Sequence, residues 1–270
     1  YNETRDVAST RPGILLPQSI YFDRSRTFGL AADGVQVYGE RRTPMGDFYL
    51  QAGVGFPQTR NDDLEVTIFT RDLPGEFEGE ASLIGRLLYE WEGGRVRAGL
   101  SYADVTLDFE PVPPLPGGSF NFEPLIASLQ FNGERWSLTS EYARRASRLR
   151  GLGIGGGGTD FTGESYYVQA TYRLPHDWEA LLRYDVFFAD RDDRDGRRFA
   201  ARDPLRRPDH SRFAKDWTLG LNWNLTPQFS LRAEWHHVDG TGWLTIQDNA
   251  DLRATERRWN LLAILASYRF

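Results

Sequence analysis

The links between segments constrain this chain more than the segments do. Eleven stretches alternate in side-chain polarity: 27–40, 47–56, 81–91, 95–109, 122–131, 135–145, 165–174, 178–190, 216–225, 229–238 and 259–270. Successive side chains of a strand point to opposite faces, so each stretch reads as β. The links fall into two kinds. Residues 41–46, 92–94, 132–134, 175–177 and 226–228 are tight and built on Gly, Asn and Pro, which tolerate positive φ or pre-set φ. Residues 57–80, 110–121, 146–164, 191–215 and 239–258 are long. Short and long links follow one another strictly. A soluble sandwich has no reason to sort its connections this way, whereas a membrane barrel has short turns at one end and long loops at the other.

Period-2 sorting gives one face without charge. It includes Leu50, Val54, Leu87, Trp91, Leu100, Leu129, Trp136, Val168, Leu182, Trp217, Leu219 and Trp235. An Arg at mid-bilayer on such a face costs roughly 2–4 kcal/mol, so its absence has a physical cause. Trp and Tyr fall near strand ends, where amphipathic rings suit an interface. The opposite face is wet and carries Arg86, Glu90, Arg97, Glu141, Arg145, Arg173, Glu179, Arg183, Asp185, Arg232, Glu234 and Arg269. Such a face either braces the wall with internal ion pairs or lines a pore with a transverse field. The balance of signs favours bracing for most individual residues, and no one-signed ring stands out.

Other function classes are excluded or demoted by composition. Mean hydropathy is -0.52, and no apolar run reaches helix-spanning length. Cysteine is absent, which removes disulfides and thiolate metal sites. A net charge of -6 argues against a nucleic-acid partner. Lys215 is the only lysine in the chain.

Residues 1–26 do not alternate, because Pro12, Gly13 and Pro17 break any ladder. They form a loop region ahead of a barrel domain over 27–270, with one extended piece around 14–21. If the loop folds into the lumen, Arg11, Asp23, Arg24 and Arg26 edge a constriction. The alternative is an exposed start. The first and last strands run the same way, so a further ascending strand is expected: either residues 14–21 supply it or, the favoured reading, it lies upstream of residue 1.

No motif points to catalysis. Residues 190–196 loosely resemble a calcium loop, but interleaved Arg favours a solvated loop. The glycine run 151–158 lacks the Lys-Ser/Thr of a phosphate loop. His176, His210, His236 and His237 lack metal-ligand spacing, and the adjacent pair points to opposite faces. Asp239 near His237 marks no catalytic pair. No cofactor or metal is expected, and an enzyme is not.

The final strand reads Trp259-Asn-Leu-Leu-Ala-Ile-Leu-Ala-Ser-Tyr-Arg-Phe270. Leu262, Ile264, Ala266, Tyr268 and Phe270 share one apolar face. This ending resembles the C-terminal signature of Gram-negative outer-membrane β-barrel proteins. Residues 234–244 and 268–270 also resemble porin-like proteins of Gram-negative bacteria. The resemblance implies an all-β, transmembrane, antiparallel up-and-down β-barrel in the bacterial outer membrane. It further implies contact with outer-membrane lipid and lipopolysaccharide, and recognition of Phe270 by the barrel-assembly machinery. Self-association stays open. The expected function is a porin: passive diffusion of small polar or ionic solutes through a lumen of mixed Arg and carboxylate groups. An outer-membrane hydrolase with a plugged barrel, or a structural or partner-binding barrel, are the alternatives.

Overall fold

A computed structural model describes residues 13–21, 32–59, 64, 68, 74–151, 158–244, 249 and 251–269. Its strands are β1 (Ala32–Thr43), β2 (Gly46–Pro57), β3 (Gly75–Gly79), β4 (Ser82–Trp91), β5 (Val96–Pro111) and β6 (Gly118–Asn132). They continue as β7 (Trp136–Arg150), β8 (Gly158–Arg173), β9 (Trp178–Phe188), β10 (Phe213–Asn224), β11 (Phe229–Gly240) and β12 (Arg258–Tyr268). Neighbours in sequence are hydrogen-bonded and antiparallel from β1 to β12, except that β4 follows β2 and β3 pairs with the far end of β5. This is the up-and-down wall of a barrel. Its end strands, β1 and β12, do not pair with each other among the described residues.

Tight turns close one end. At the β4–β5 turn Glu92, Gly93 and Gly94 all take positive φ, at 48°, 64° and 90°. Two of those positions are glycine because side-chain clashes disfavour that region. The long connections gather at the other end.

The uncharged face is exposed. Leu50, Leu129, Leu219 and Ile264 are 56%, 56%, 51% and 73% accessible, which in water would be a large exposed apolar surface. Register aligns these residues in rows: Leu182 pairs with Leu219, and Leu219 with Trp235, which pairs in turn with Leu262. Aromatic rings bound the rows. Trp178 stacks on Trp223 at 4.8 Å near the tight turns, and Tyr184 meets Trp217 at 4.5 Å near the long loops. Six residues of strand, roughly 20 Å, separate the two pairs.

Beyond the upper rings the same face becomes charged. Arg144, Arg148 and Arg150 stand on β7, Asp160 and Glu164 on β8, Lys215 on β10, Asp239 on β11 and Arg258 on β12. On β5 to β7 the polarity inverts at that level, because the opposite face turns apolar. Val105, Leu107, Phe109, Phe120, Phe122 and Leu149 form a buried cluster there, which also holds Leu64 and Phe77 from the β2–β4 connection. On β9 and β10, by contrast, the outward Val186, Phe188 and Phe213 form a buried cluster of their own.

Three expectations from sequence change here. The 57–80 link contains β3, a five-residue strand too short to show alternation. The links 110–121 and 146–164 shrink, since β5 to β8 run on past the membrane level. The piece at 14–21 is not extended throughout: Gln18–Tyr21 form one helical turn, α1, with the Pro17 carbonyl accepting the amides of Ile20 and Tyr21 at 3.3 and 2.9 Å. Proline cannot donate but starts a helix well.

Candidate functional site

The polar face of β7 to β11 is covered by the segment Gly13–Tyr21, and the wall holds that segment by its backbone. Glu234 on β11 accepts the Ile14 amide at 2.8 Å and the Leu15 amide at 3.0 Å, one on each oxygen. Asp185 on β9 accepts the Ser19 amide at 3.2 Å. Three arginines donate to segment carbonyls: Arg232 to Gly13 at 3.4 Å, Arg183 to Leu15 at 3.0 Å and Arg145 to Ser19 at 2.8 Å. Carboxylates thus take amides and guanidinium groups take carbonyls, which satisfies the peptide groups of a segment that has no ladder. Leu16, Ile20 and Tyr21 pack on Ala143 and Tyr167, adding apolar burial to the polar contacts.

A second layer fixes the clamps. His236 lies between Asp216, 2.8 Å from Nδ1, and Glu234, 3.3 Å from Nε2. Thr218 donates to Asp216 at 2.9 Å. Glu141 accepts from Ser128 at 2.6 Å and from Tyr167 at 2.9 Å. Arg145 also reaches the Ser165 hydroxyl. These are charge-assisted bonds, stronger than neutral ones and costly to break when buried.

The twelve charged residues assigned to the wet face divide in two. Glu141, Arg145, Arg183, Asp185, Arg232 and Glu234 are all buried, each at 7% accessibility or less. Arg86, Glu90, Arg97 and Glu179 are half-buried, with Arg97 bridging Glu90 at 2.8 Å, and Arg173 and Arg269 are exposed. Arg11, Asp23, Arg24, Arg26 and Phe270 lie outside the described residues. Sequence reasoning did not single out the Asp216–His236 pair. The tight β10–β11 turn sets a register that puts Thr218 opposite His236, and counting from that turn would have found it.

The long-loop end has its own structure. The 190–196 run forms a 3-10 turn over Arg191–Asp193, followed by helix α2 (Arg197–Arg202). Asp193 accepts the amides of Arg198 and Phe199 at 3.1 and 2.8 Å. Burial works to raise the Asp193 carboxyl, yet these amides and the Arg198 charge hold it below its usual value. Burial likewise opposes the lowering of Asp203, which Arg207 achieves by a side-chain bond at 2.7 Å. Burial, reinforced by Arg207, pushes Arg212 down. No group of three or more acidic or His side chains is placed to hold a metal among the described residues. His237 meets Asn260 at 2.9 Å and Asp239 takes Arg257 at 2.6 Å.

An exposed apolar belt between aromatic rows, a polar face with a segment clamped against it, and loops sorted by end define an outer-membrane β-barrel of the porin class. The chain belongs to the phosphate-selective porin O and P family, whose sequence profile matches residues 120–270. Its place is the bacterial outer membrane. Among solved structures it is similar to an anion-selective porin from Comamonas acidovorans, with a TM-score of 0.48 and 16% identity over 80% of this chain and 54% of that one. It is also similar to the outer membrane channel DcaP of Acinetobacter baumannii, with a TM-score of 0.48 and 14% identity over 86% of this chain and 62% of that one. The chain therefore spans between about half and under two thirds of these porins' length. No curated protein matches it.

Proposed function

We propose that this chain forms a channel for passive diffusion of small polar and ionic solutes, lined by mixed Arg and carboxylate groups. The channel is narrowed where Gly13–Tyr21 lies on the wall. The observation that carries this is the division of the charges. Five buried groups, Arg145, Arg183, Asp185, Arg232 and Glu234, hold the segment and buried Glu141 braces Tyr167 beneath it, while the accessible Arg86, Glu90, Arg97, Glu179, Arg173 and Arg269 are left to border water. Arg11, Asp23, Arg24 and Arg26 flank the segment in sequence and lie outside the described residues. Selection works by size and by the local field across the opening, without turnover. The family's description makes inorganic phosphate the first solute to assay.

The test is reconstitution of the folded chain in planar bilayers. Discrete conductance steps are expected, with a reversal potential in a salt gradient that moves toward cation preference in R86Q and R97Q. Wild-type protein that inserts but never conducts overturns the channel. Unchanged reversal potentials in both variants overturn the lining.

A further inference from the structure

Lys215 stands on the outward face of β10, two residues beyond Trp217 of the upper aromatic row. That spacing lifts it roughly 7 Å along the strand, out of the apolar belt. A cavity of about 290 Å³ opens beside it, floored by Phe188 and Phe213 and walled by Arg194, Arg197, Lys215 and Arg257. The cations are held in place. Arg194 lies 5.4 Å over the Phe188 ring and is paired with Glu164, while Arg257 lies 5.4 Å over Phe213 and is paired with Asp239. The Lys215 ammonium sits 5.9 and 5.7 Å from the same two rings. Among the described residues it bridges no carboxylate. Asp195 and Asp209 complete the lining, the first paired with Arg197 at 3.3 Å and the second accepting the His210 amide at 2.7 Å.

The cavity therefore suits an anion, and its position says which kind. It opens on the same face as Tyr184 and Trp217, opposite to the face that carries Arg145 and Glu234. A solute crossing the barrel does not meet it. The long loops mark this end as extracellular. What lies against this face at this height is the headgroup layer of the outer leaflet. The surrounding wall leans to the matching sign: strands β6 to β12 carry Arg144, Arg148, Arg150, Lys215 and Arg258 beyond the rings against Glu123, Asp160, Glu164 and Asp239, although the whole chain is at -6. We propose that the cavity binds a phosphate on the headgroup of an outer-leaflet glycolipid of the lipopolysaccharide type. Its acyl chains then run down past Tyr184 and Trp217 to Leu182 and Leu219. Arg–phosphate and Lys–phosphate contacts are charge-assisted and favour this geometry.

The test uses the folded chain in detergent micelles, titrated with bis-phosphorylated lipid A and followed by native mass spectrometry. Retained lipid A is expected, with binding of phosphate-free lipid A weaker by roughly tenfold or more. K215Q is expected to weaken bis-phosphorylated lipid A comparably, and K215R to restore it. Inorganic phosphate at the same concentration is expected not to displace the lipid. Equal retention of the two lipids overturns the proposal, as does K215Q binding like wild type. Displacement by inorganic phosphate assigns the cavity to free anion and overturns the lipid. If K215Q does not fold, the comparison of the two lipids on the wild-type chain decides alone.

Discussion

The Glu234 carboxylate accepts the Ile14 amide at 2.8 Å, tying a strand near the end of the chain to a segment 220 residues earlier. The same carboxylate takes the next amide and faces His236, so one side chain serves both the segment and the wall. Position and energy are coupled at that point. A buried acceptor of two amides is worth more than its bonds counted singly, because its loss leaves two amides and the Nε2 of His236 without their partner.

E234Q is therefore expected to loosen the segment while leaving the wall intact. The amide side chain keeps one acceptor oxygen and turns two donors toward groups that also donate. The loss of docking energy is about 1.5–3 kcal/mol, the range for a bond to a charged group. Amide exchange at Ile14 and Leu15 should rise and single-channel conductance should increase. Unaltered exchange at both amides would remove the clamp from the account.

Gly13 tests the same joint from the other side. A Cβ there would collide with Glu234 Oε1 and meet Leu181 Cδ1 at 3.3 Å. Overpacking of this kind costs about 1–3 kcal/mol. G13A is expected to raise conductance as E234Q does. Their combination should fall short of the sum, because both act on one contact. Additive effects in the double-mutant cycle would mean that the two residues do not share a role.

The strands and their two faces were legible because lipid and lumen impose opposite chemistry on alternate residues. Leu182, Leu219, Trp235 and Leu262 could be assigned to one face by parity alone. The rule fails above the upper aromatic row, where the outside is water and the inside is packed. Arg148 and Arg150 then point outward while Leu149 is buried, and the ends of β7 and β8 resemble loop. β3 was missed for a related reason, since Phe77 is its one large apolar side chain. The clamp was not legible at all. Arg145, Arg183 and Arg232 occupy three strands, and nothing local shows that they share one segment of backbone. The residue types announced a wet face, but only the three-dimensional register shows that five of those twelve charges are spent on peptide groups of one segment.

The apolar belt makes a quantitative prediction. Leu219 pairs with Leu182 and Trp235 in the middle of the exposed rows. L219R is expected to destabilise the folded chain in vesicles by roughly 2–4 kcal/mol, as for a cation at the bilayer midplane. R148L, beyond the rings, should change stability far less than L219R, as surface substitutions usually do. Urea titrations in lipid vesicles would give both values. Similar small effects would place the membrane elsewhere on the wall.

The β9–β10 connection should respond to acid while the wall does not. Asp193 is held below its usual carboxylate range although burial opposes this, because the amides of Arg198 and Phe199 and the Arg198 charge favour its ionised form. Its folded value lies under the unfolded value of about 3.9. The carboxylate thus contributes its full stabilisation above that unfolded value, and the contribution is lost as pH falls through the folded value. Asp203, held down by Arg207 against burial, titrates with the same sign. Protection of the Phe199 amide, corrected for intrinsic exchange, should be constant from neutral pH to about 5 and should decline below about 4. In D193N that amide should be less protected at neutral pH and the acid step should shrink to what Asp203 supplies. A D193N profile that superimposes on the wild type would show that the Asp193 carboxylate does not hold the start of α2.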